Sequence, residues 1–157
     1  MVSLKLDIGY LPTPPELVAA MLDKLNLNEQ DIFYDLGCGD GRIAIAAVQR
    51  YGIRQAVGID IDPERIYEAK ENAKIAGVSD RVEFRLQNLF ESEIGEATVV
   101  YIYLLPHLNL KLKPQFNQLK PGTLIISRDF DMGDWKPDQQ FHIQGVEEES
   151  TFYCWRT

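Results

Sequence analysis

Residues 35–42 read Asp35-Leu36-Gly37-Cys38-Gly39-Asp40-Gly41-Arg42. Glycines at this density permit positive φ and let the backbone come close to a bound group. The apolar run Ile32–Leu36 before the loop reads as a buried strand. A helix opens behind the loop, and its first N–H groups are free for an anionic group. A second strand ends in Gly58-Ile59-Asp60. That places an acid about 20 residues beyond the loop, where it can hold ribose hydroxyls. A dinucleotide loop is spaced G-x-G-x-x-G. This one is spaced G-x-G-x-G, with Asp35 two residues before the first glycine. A carboxylate there suits a ligand carrying positive charge near the loop better than pyrophosphate alone. S-adenosylmethionine has that charge in its sulfonium and α-ammonium, and its carboxylate remains for backbone N–H groups.

A second group of candidates lies in Val99-Val100-Tyr101-Ile102-Tyr103-Leu104-Leu105-Pro106-His107. Tyr101 and Tyr103 share one side of a strand, and Tyr103 is nearer its end. Enzymes that methylate nucleobase amines often carry Asp/Asn-Pro-Pro-aromatic at this place. Tyr103-Leu104-Leu105-Pro106 has no carboxylate or amide to accept from a base amine, which argues against that chemistry. His107 has the residue type of a general base near neutrality, or it is a solvent-facing residue at a helix start. Phe130 and Trp135 stand among Asp129, Asp131 and Asp134, where two rings and acids could hold a cation. Trp135 equally suits anchoring its loop on the core. The aspartates lack EF-hand spacing, and no metal is expected. Cys38 reads as a small loop residue, Cys154 as core and His142 as structural.

These residues need elements to position them. Thr13 can cap a helix whose first turn holds Pro14, Pro15 and Glu16, with Leu17, Met21, Leu22 and Leu25 at helical spacing. GRIAIAAVQRYG places Ile43, Ala47 and Val48 on one helical face and stops at Gly52, and Pro63 starts another helix that Gly77 closes. Strands are expected in QAVGIDID, in RVEFRLQNL near an edge, in ATVVYIYLL and in TLIISRDF. A helix broken early by Pro114 lies between the last two. QFHIQGV and STFYCWR form a closing antiparallel hairpin about an acidic turn. Strands alternating with crossover helices give a mostly parallel α/β sheet.

Composition agrees with this reading. The 157 residues are 45% hydrophobic and 25% charged, which suits one globular domain over 1–157 and excludes disorder and fibrous repeats. No apolar run reaches the length of a membrane span, and the N-terminus lacks a signal-peptide pattern. Two cysteines make no disulfide framework, so a cytoplasmic location is expected. A net charge of −8 disfavours a large nucleic-acid footprint and suits a basic partner.

The DxGxGxG loop, the acid ending the second strand and the later strand motifs resemble class I, seven-β-strand S-adenosylmethionine-dependent methyltransferases over nearly the whole chain. YLPTPPELVAAML, DLGCGDGRIAIAA, GIDIDPERI, ATVVYIYLLPHLN and KPGTLIISRDFDMGDWKPD resemble a narrower bacterial group. That group is related to the ATP-synthase-subunit type of protein lysine methyltransferase and, more distantly, to the Dot1 enzymes. The resemblance implies a Rossmann-like, doubly wound, mostly parallel seven-stranded sheet with helices on both faces.

It also implies site roles. Asp35 faces the methionine ammonium, and Gly37, Gly39 and Gly41 form the wall under methionine and ribose. Asp60 accepts from ribose hydroxyls, while Ile61 and Leu89 cover the two faces of the adenine. Asn88 stands where the family usually has Asp facing the adenine amino group, and its amide oxygen can still accept. Tyr10 and Thr13 match a Tyr-x-x-Thr that folds over the methionine end, within an N-terminal segment and helix over 1–29. They can also be a surface aromatic and a helix cap.

The activity implied is N-methylation of a protein lysine, with Tyr103 lining the acceptor site and His107 the candidate base. A lysine must lose its proton first, since its ordinary pKa is about 10.4. A small-molecule methyltransferase and a non-catalytic S-adenosylmethionine-binding module are the alternatives. So little chain is left for a cap that the active site is expected to be open, which suits a basic, lysine-bearing protein better than a nucleic acid.

Overall fold

A computed structural model describes residues 12–157. Its elements follow the hydrophobic pattern closely. Helix α1 spans Pro15–Asp23, β1 Ile32–Leu36, α2 Arg42–Tyr51, β2 Gln55–Asp60, α3 Pro63–Ala76 and β3 Val82–Leu86. A 3-10 turn at Leu89–Glu91 leads to β4 (Val99–Ile102). The short helices α4 (Pro106–Lys111) and α5 (Lys113–Phe116) come next, then β5 (Leu124–Arg128), β6 (Gln139–Gln144) and β7 (Glu149–Arg156). Pro114 divides α4 from α5, because it lacks the N–H that would continue the helix.

The seven strands form one sheet in the order β3-β2-β1-β4-β5-β7-β6. β1 to β5 run parallel, and β7 pairs antiparallel with both β5 and β6. The order turns back at β1, whose neighbours are β2 on one side and β4 on the other. A crevice opens at the carboxyl ends of strands on either side of such a switch point. RVEFRLQNL does lie at an edge, as β3.

Strand residues alternate between two apolar layers. Phe33, Ala56, Val99, Tyr101, Ile126, Phe152 and Cys154 pack beneath α1, α2 and α3. Tyr34, Val57, Ile59, Val100, Ile102, Ile125 and Trp155 pack beneath α4 and α5. Helices therefore cover both faces, and the central strands are apolar throughout because both faces are buried. Trp155 is fully buried, and its indole N–H donates to the Trp135 carbonyl at 2.8 Å. Cys38 and Cys154 are free and buried.

The first helix departs from expectation. Thr13 is not its cap: the N-cap position is Pro14, with no side-chain cap, and α1 begins at Pro15. The Thr13 hydroxyl is engaged elsewhere, accepting from the Arg128 guanidinium at 2.9 Å. A buried guanidinium competes for that oxygen, while Pro15, lacking an N–H, removes one of the donors a cap would satisfy.

Gly41 carries a strict steric demand. Its φ is 82°, and a Cβ there would fall 2.5 Å from Phe84 Cζ and 3.0 Å from Ala69 Cβ. A side chain would be strained by the backbone and would overpack the layer beneath α3. Gly41→Ala should lower stability by about 2–5 kcal/mol in urea denaturation, the sum of those two costs. Combining it with Phe84→Leu should cost less than the sum of the two single variants. Strict additivity would mean the ring is not the obstacle.

Candidate functional site

The carboxyl ends of β2, β1, β4 and β5 carry Asp60, Asp35, Tyr101 and Arg128. Asp35 and Tyr101 are register partners across β1 and β4. Alternation puts all four, with Tyr103, on the layer shared with α1 to α3.

The glycine loop is held from both sides. The amides of Gly37 and Cys38 both donate to the Ile59 carbonyl, at 2.7 and 3.0 Å. The Gly39 amide donates to one Asp60 oxygen at 2.9 Å, and the Asp62 amide donates to the other at 3.0 Å. Asp60 thus ties the loop to the start of α3, and each of its oxygens keeps a lone pair facing outward. Asp40 pairs with Arg42 at 2.7 Å, and Arg42 also donates to the Thr13 carbonyl at 3.1 Å. The Cys38 thiol is pushed well up, first by burial and then by Asp35 and Asp60. That suits the small loop residue expected and not a nucleophile.

Asp35 is the anomaly. It is 2% exposed, and no described residue hydrogen-bonds its carboxylate. Burial chiefly, then the charges of Asp60 and Asp40, raise its pKa to about 8. An unpartnered carboxyl among like charges at the end of a central strand destabilises the fold by itself. A cation beside it would relieve that cost. The α-ammonium and sulfonium of S-adenosylmethionine fit this charge pattern, and a pyrophosphate would add to the repulsion.

The adenine end fits less fully. Ile61 is partly exposed beside Asp60, with surface to offer a ring. Asn88 is exposed, and its amide oxygen accepts from the Phe90 amide at 3.0 Å while its nitrogen donates to Glu91 at 2.8 Å. It starts the 3-10 turn, and one lone pair of that oxygen remains. Leu89 has no exposed surface and packs in the layer under α4 and α5. Its side chain therefore cannot cover an adenine face, because its apolar contacts draw it into the core.

On the acceptor side, Tyr103 is half-buried and stacks on Phe130 at 6.1 Å between ring centroids. The Arg128 guanidinium lies 4.4 Å from the Tyr103 ring centroid. The cation held between ring and acids is thus the chain's own. Arg128 is 4% exposed and donates to Ser150 Oγ at 2.8 Å, Thr13 Oγ1 at 2.9 Å and Glu148 at 3.1 Å, with Asp129 at 3.7 Å. It joins β5, the β6–β7 hairpin and Thr13, two residues before α1. The sequence carried one signal for this hub, a single Arg closing the apolar run Leu124–Ser127. A buried charge must be paired, and Glu148 and Asp129 pair it.

The other candidates separate. Trp135 tilts against Trp155 at 5.6 Å and Phe116 at 6.4 Å, so it anchors its loop on the opposite layer. Asp131 caps a turn through the Gly133 amide at 3.1 Å. His107 is exposed in the first turn of α4 with no hydrogen-bond partner among the described residues, which is the solvent-facing alternative. Tyr10 lies outside the described residues. Among the described residues no group of three or more His, Cys, Asp or Glu could hold a metal ion.

This geometry has relatives. A curated protein-lysine N-methyltransferase of Saccharolobus islandicus is 40% identical over 94% of this chain and 92% of its own. A ribosomal protein L11 methyltransferase of Glaesserella parasuis is 35% identical over 77% of this chain, which spans only 42% of that protein. A crystal structure of an RNA methyltransferase from Salinibacter ruber, in complex with S-adenosyl-L-homocysteine, is 50% identical. It superposes with a TM-score of 0.85 and covers 93% of each chain. The model of the ANTKMT methyltransferase domain matches residues 35–139. The chain belongs to the ANTKMT methyltransferase domain family, and it is a class I S-adenosylmethionine-dependent methyltransferase.

Proposed function

We propose that the chain N-methylates a lysine side chain of a basic protein, in the cytoplasm, through an open site at the carboxyl ends of β1, β4 and β5. The observation that carries this reading is the protein-lysine N-methyltransferase alignable over 94% of the chain. The site supports it. Glu148 is exposed and Asp129 partly exposed beside Tyr103, so carboxylates rim the mouth and suit a cationic segment.

Bound S-adenosylmethionine supplies a methyl group already activated by a sulfonium. The protein supplies position and desolvation. Asp35 holds the ammonium, Gly37, Gly39 and Gly41 bring backbone against the methionine and ribose, and Asp60 accepts from the ribose hydroxyls. Ile61 covers the adenine and Asn88 meets its amino edge. Thr13, with Tyr10 ahead of it, closes the methionine end. Tyr103 and Phe130 line the path of the acceptor. An amine attacks only as the free base, and the Arg128 charge beside Tyr103 favours the neutral amine over the ammonium. Nitrogen–carbon bond formation and sulfur–carbon cleavage then leave a proton that passes to solvent. His107 takes no part, so His107→Gln should keep kcat within about threefold of wild type.

A second reading, an RNA acceptor, is favoured by the name of the Salinibacter ruber structure. The acidic rim opposes it, because phosphates draw on clustered Lys and Arg. Radiolabelled methyl transfer into a fractionated lysate separates the readings. Methyllysine in digested protein is expected. Label confined to RNA or to small solutes would overturn the protein-lysine reading.

Two substitutions test the cofactor site. Asp60→Ala should weaken S-adenosylmethionine binding at least tenfold, about 1.4 kcal/mol, in calorimetry. Asp35→Asn should weaken binding similarly while stabilising the free protein. The sign follows from a folded pKa raised from 3.8 to about 8: ionisation costs stability as pH rises between those values. The melting temperature of Asp35→Asn should therefore pull ahead of wild type from pH 4 to pH 8 and run parallel above. A constant offset across that range would show that Asp35 is not held protonated.

A further inference from the structure

The chain turns sharply at the end of β5. Asp129 has φ 62°, a conformation that residues other than glycine rarely hold without support from their surroundings. The Phe130 amide donates to the Arg128 carbonyl at 2.8 Å, which closes a three-residue turn around Asp129. That turn presents Phe130 to Tyr103. Both rings are partly exposed, and they stack with 17° between their planes. Two segments hold the turn in place. On the β7 side the Asp129 amide donates to the Thr151 carbonyl at 2.7 Å, and the Thr151 amide donates to an Asp129 carboxylate oxygen at 3.0 Å. On the other side stands Asn109, in α4, with no exposed surface. Its amide nitrogen donates to the Asp131 carbonyl at 3.1 Å and to the Phe130 carbonyl and Ser127 Oγ at 3.3 Å each. Ser127, also sealed from solvent, donates in turn to the Phe130 carbonyl.

We infer that Asn109 is a positioning residue for the methyl acceptor: with Ser127 it fixes the carbonyls of the β5 turn and so sets Phe130 against Tyr103. This rests on the proposed reading of the site, which puts those two rings along the acceptor's path, and goes beyond it by naming what holds them. Asn109 acts through the turn and not by touching a reacting group. Turning its amide over would face an oxygen toward the two carbonyls, so the nitrogen's role is fixed by chemistry. Backbone held in a sparsely populated conformation persists only where the surroundings over-determine it, and such places cluster at functional sites. Small misplacement of a group that aims a reactant is costly to transfer. The effect belongs to the acceptor alone, because the cofactor's residues come from β1, β2 and the loops behind them.

The test uses Asn109→Ala, Ser127→Ala and the double variant, all assayed well below the melting temperature of the least stable. Methyl-labelled S-adenosylmethionine is kept saturating while the lysate fraction that wild type labels is titrated as acceptor. Asn109→Ala should raise the apparent KM for that fraction at least fivefold and keep the saturating rate within threefold. Ser127→Ala removes a single oxygen, and should raise the KM at least threefold even if Asn109→Ala does not fold. The double variant should raise it by less than the product of the two, since both residues serve one network. S-adenosylhomocysteine affinity by calorimetry should stay within twofold. Ring-to-ring NOEs between Phe130 and Tyr103, read by NMR without any acceptor, should be present in wild type and weakened in the variants.

A merely structural role would lower the saturating rate, through fewer folded molecules, and leave the KM where it was. That outcome, a matching loss of S-adenosylhomocysteine affinity, or NOEs of full strength in the variants would each overturn the assignment. Label confined to RNA or to small solutes would overturn the protein-lysine reading, while the KM for that fraction and the NOEs still decide the role of Asn109.

Discussion

The carboxyl group of Asp35, buried at the end of the central strand with no hydrogen bond from any described residue, sets the electrostatic constraint on this end of the sheet. Burial chiefly, then the charges of Asp60 and Asp40, disfavours its ionised form. A chain selected only for stability would place an apolar residue here, as it does at Phe33 two positions earlier on the same face. The sheet order makes the position available, because β1 lies where the strand order turns back and a crevice forms. Gly41 leaves room for the Phe84 ring, and Asp60 pins the Gly39 amide of the loop in place.

A second charge performs the complementary task on the other side of β4. Arg128 is buried but fully engaged, with its donors spread over Thr13, Ser150 and Glu148. Because those partners come from two distant segments, one guanidinium holds Thr13, the end of β5 and the closing hairpin together. This end of the sheet therefore carries a carboxyl whose ionised form burial disfavours and a cation with several partners. Between them stands a pair of tyrosines on one strand, one half-buried and one sealed. In the proposed amine methylation the cofactor arrives charged and the nucleophile must arrive neutral.

The fold was readable because its signals are local. β1 begins and ends where the apolar run Ile32–Leu36 does, and α2 and α3 stop at Gly52 and Gly77, which adopt left-handed conformations. Loop chemistry was equally readable, since Asp35, three glycines and Asp60 lie within one β-α-β stretch. The misreadings share another cause. Thr13 looks like a helix cap when only its neighbours are considered, and it became the acceptor for an Arg far along the chain. Leu89 follows the third strand as an adenine contact would, and the layer under α4 and α5 took its side chain. His107 and Trp135 had the residue types for chemistry and went to solvent and to the opposite core.

By itself the sequence determined the order of strands and helices, the glycine loop with its two carboxylates, and the charge pattern of the cofactor that loop accepts. These follow from periodicity, from the conformational range of glycine and from spacing along a few tens of residues. Only the tertiary structure decided that no described residue hydrogen-bonds the Asp35 carboxyl, that Arg128 is the buried hub, and that His107 stands exposed at the start of α4. Those outcomes depend on which side chains from separate strands meet at the sheet's carboxyl end. Burial and partner supply there are properties of the assembled layers, and no local stretch of sequence contains them.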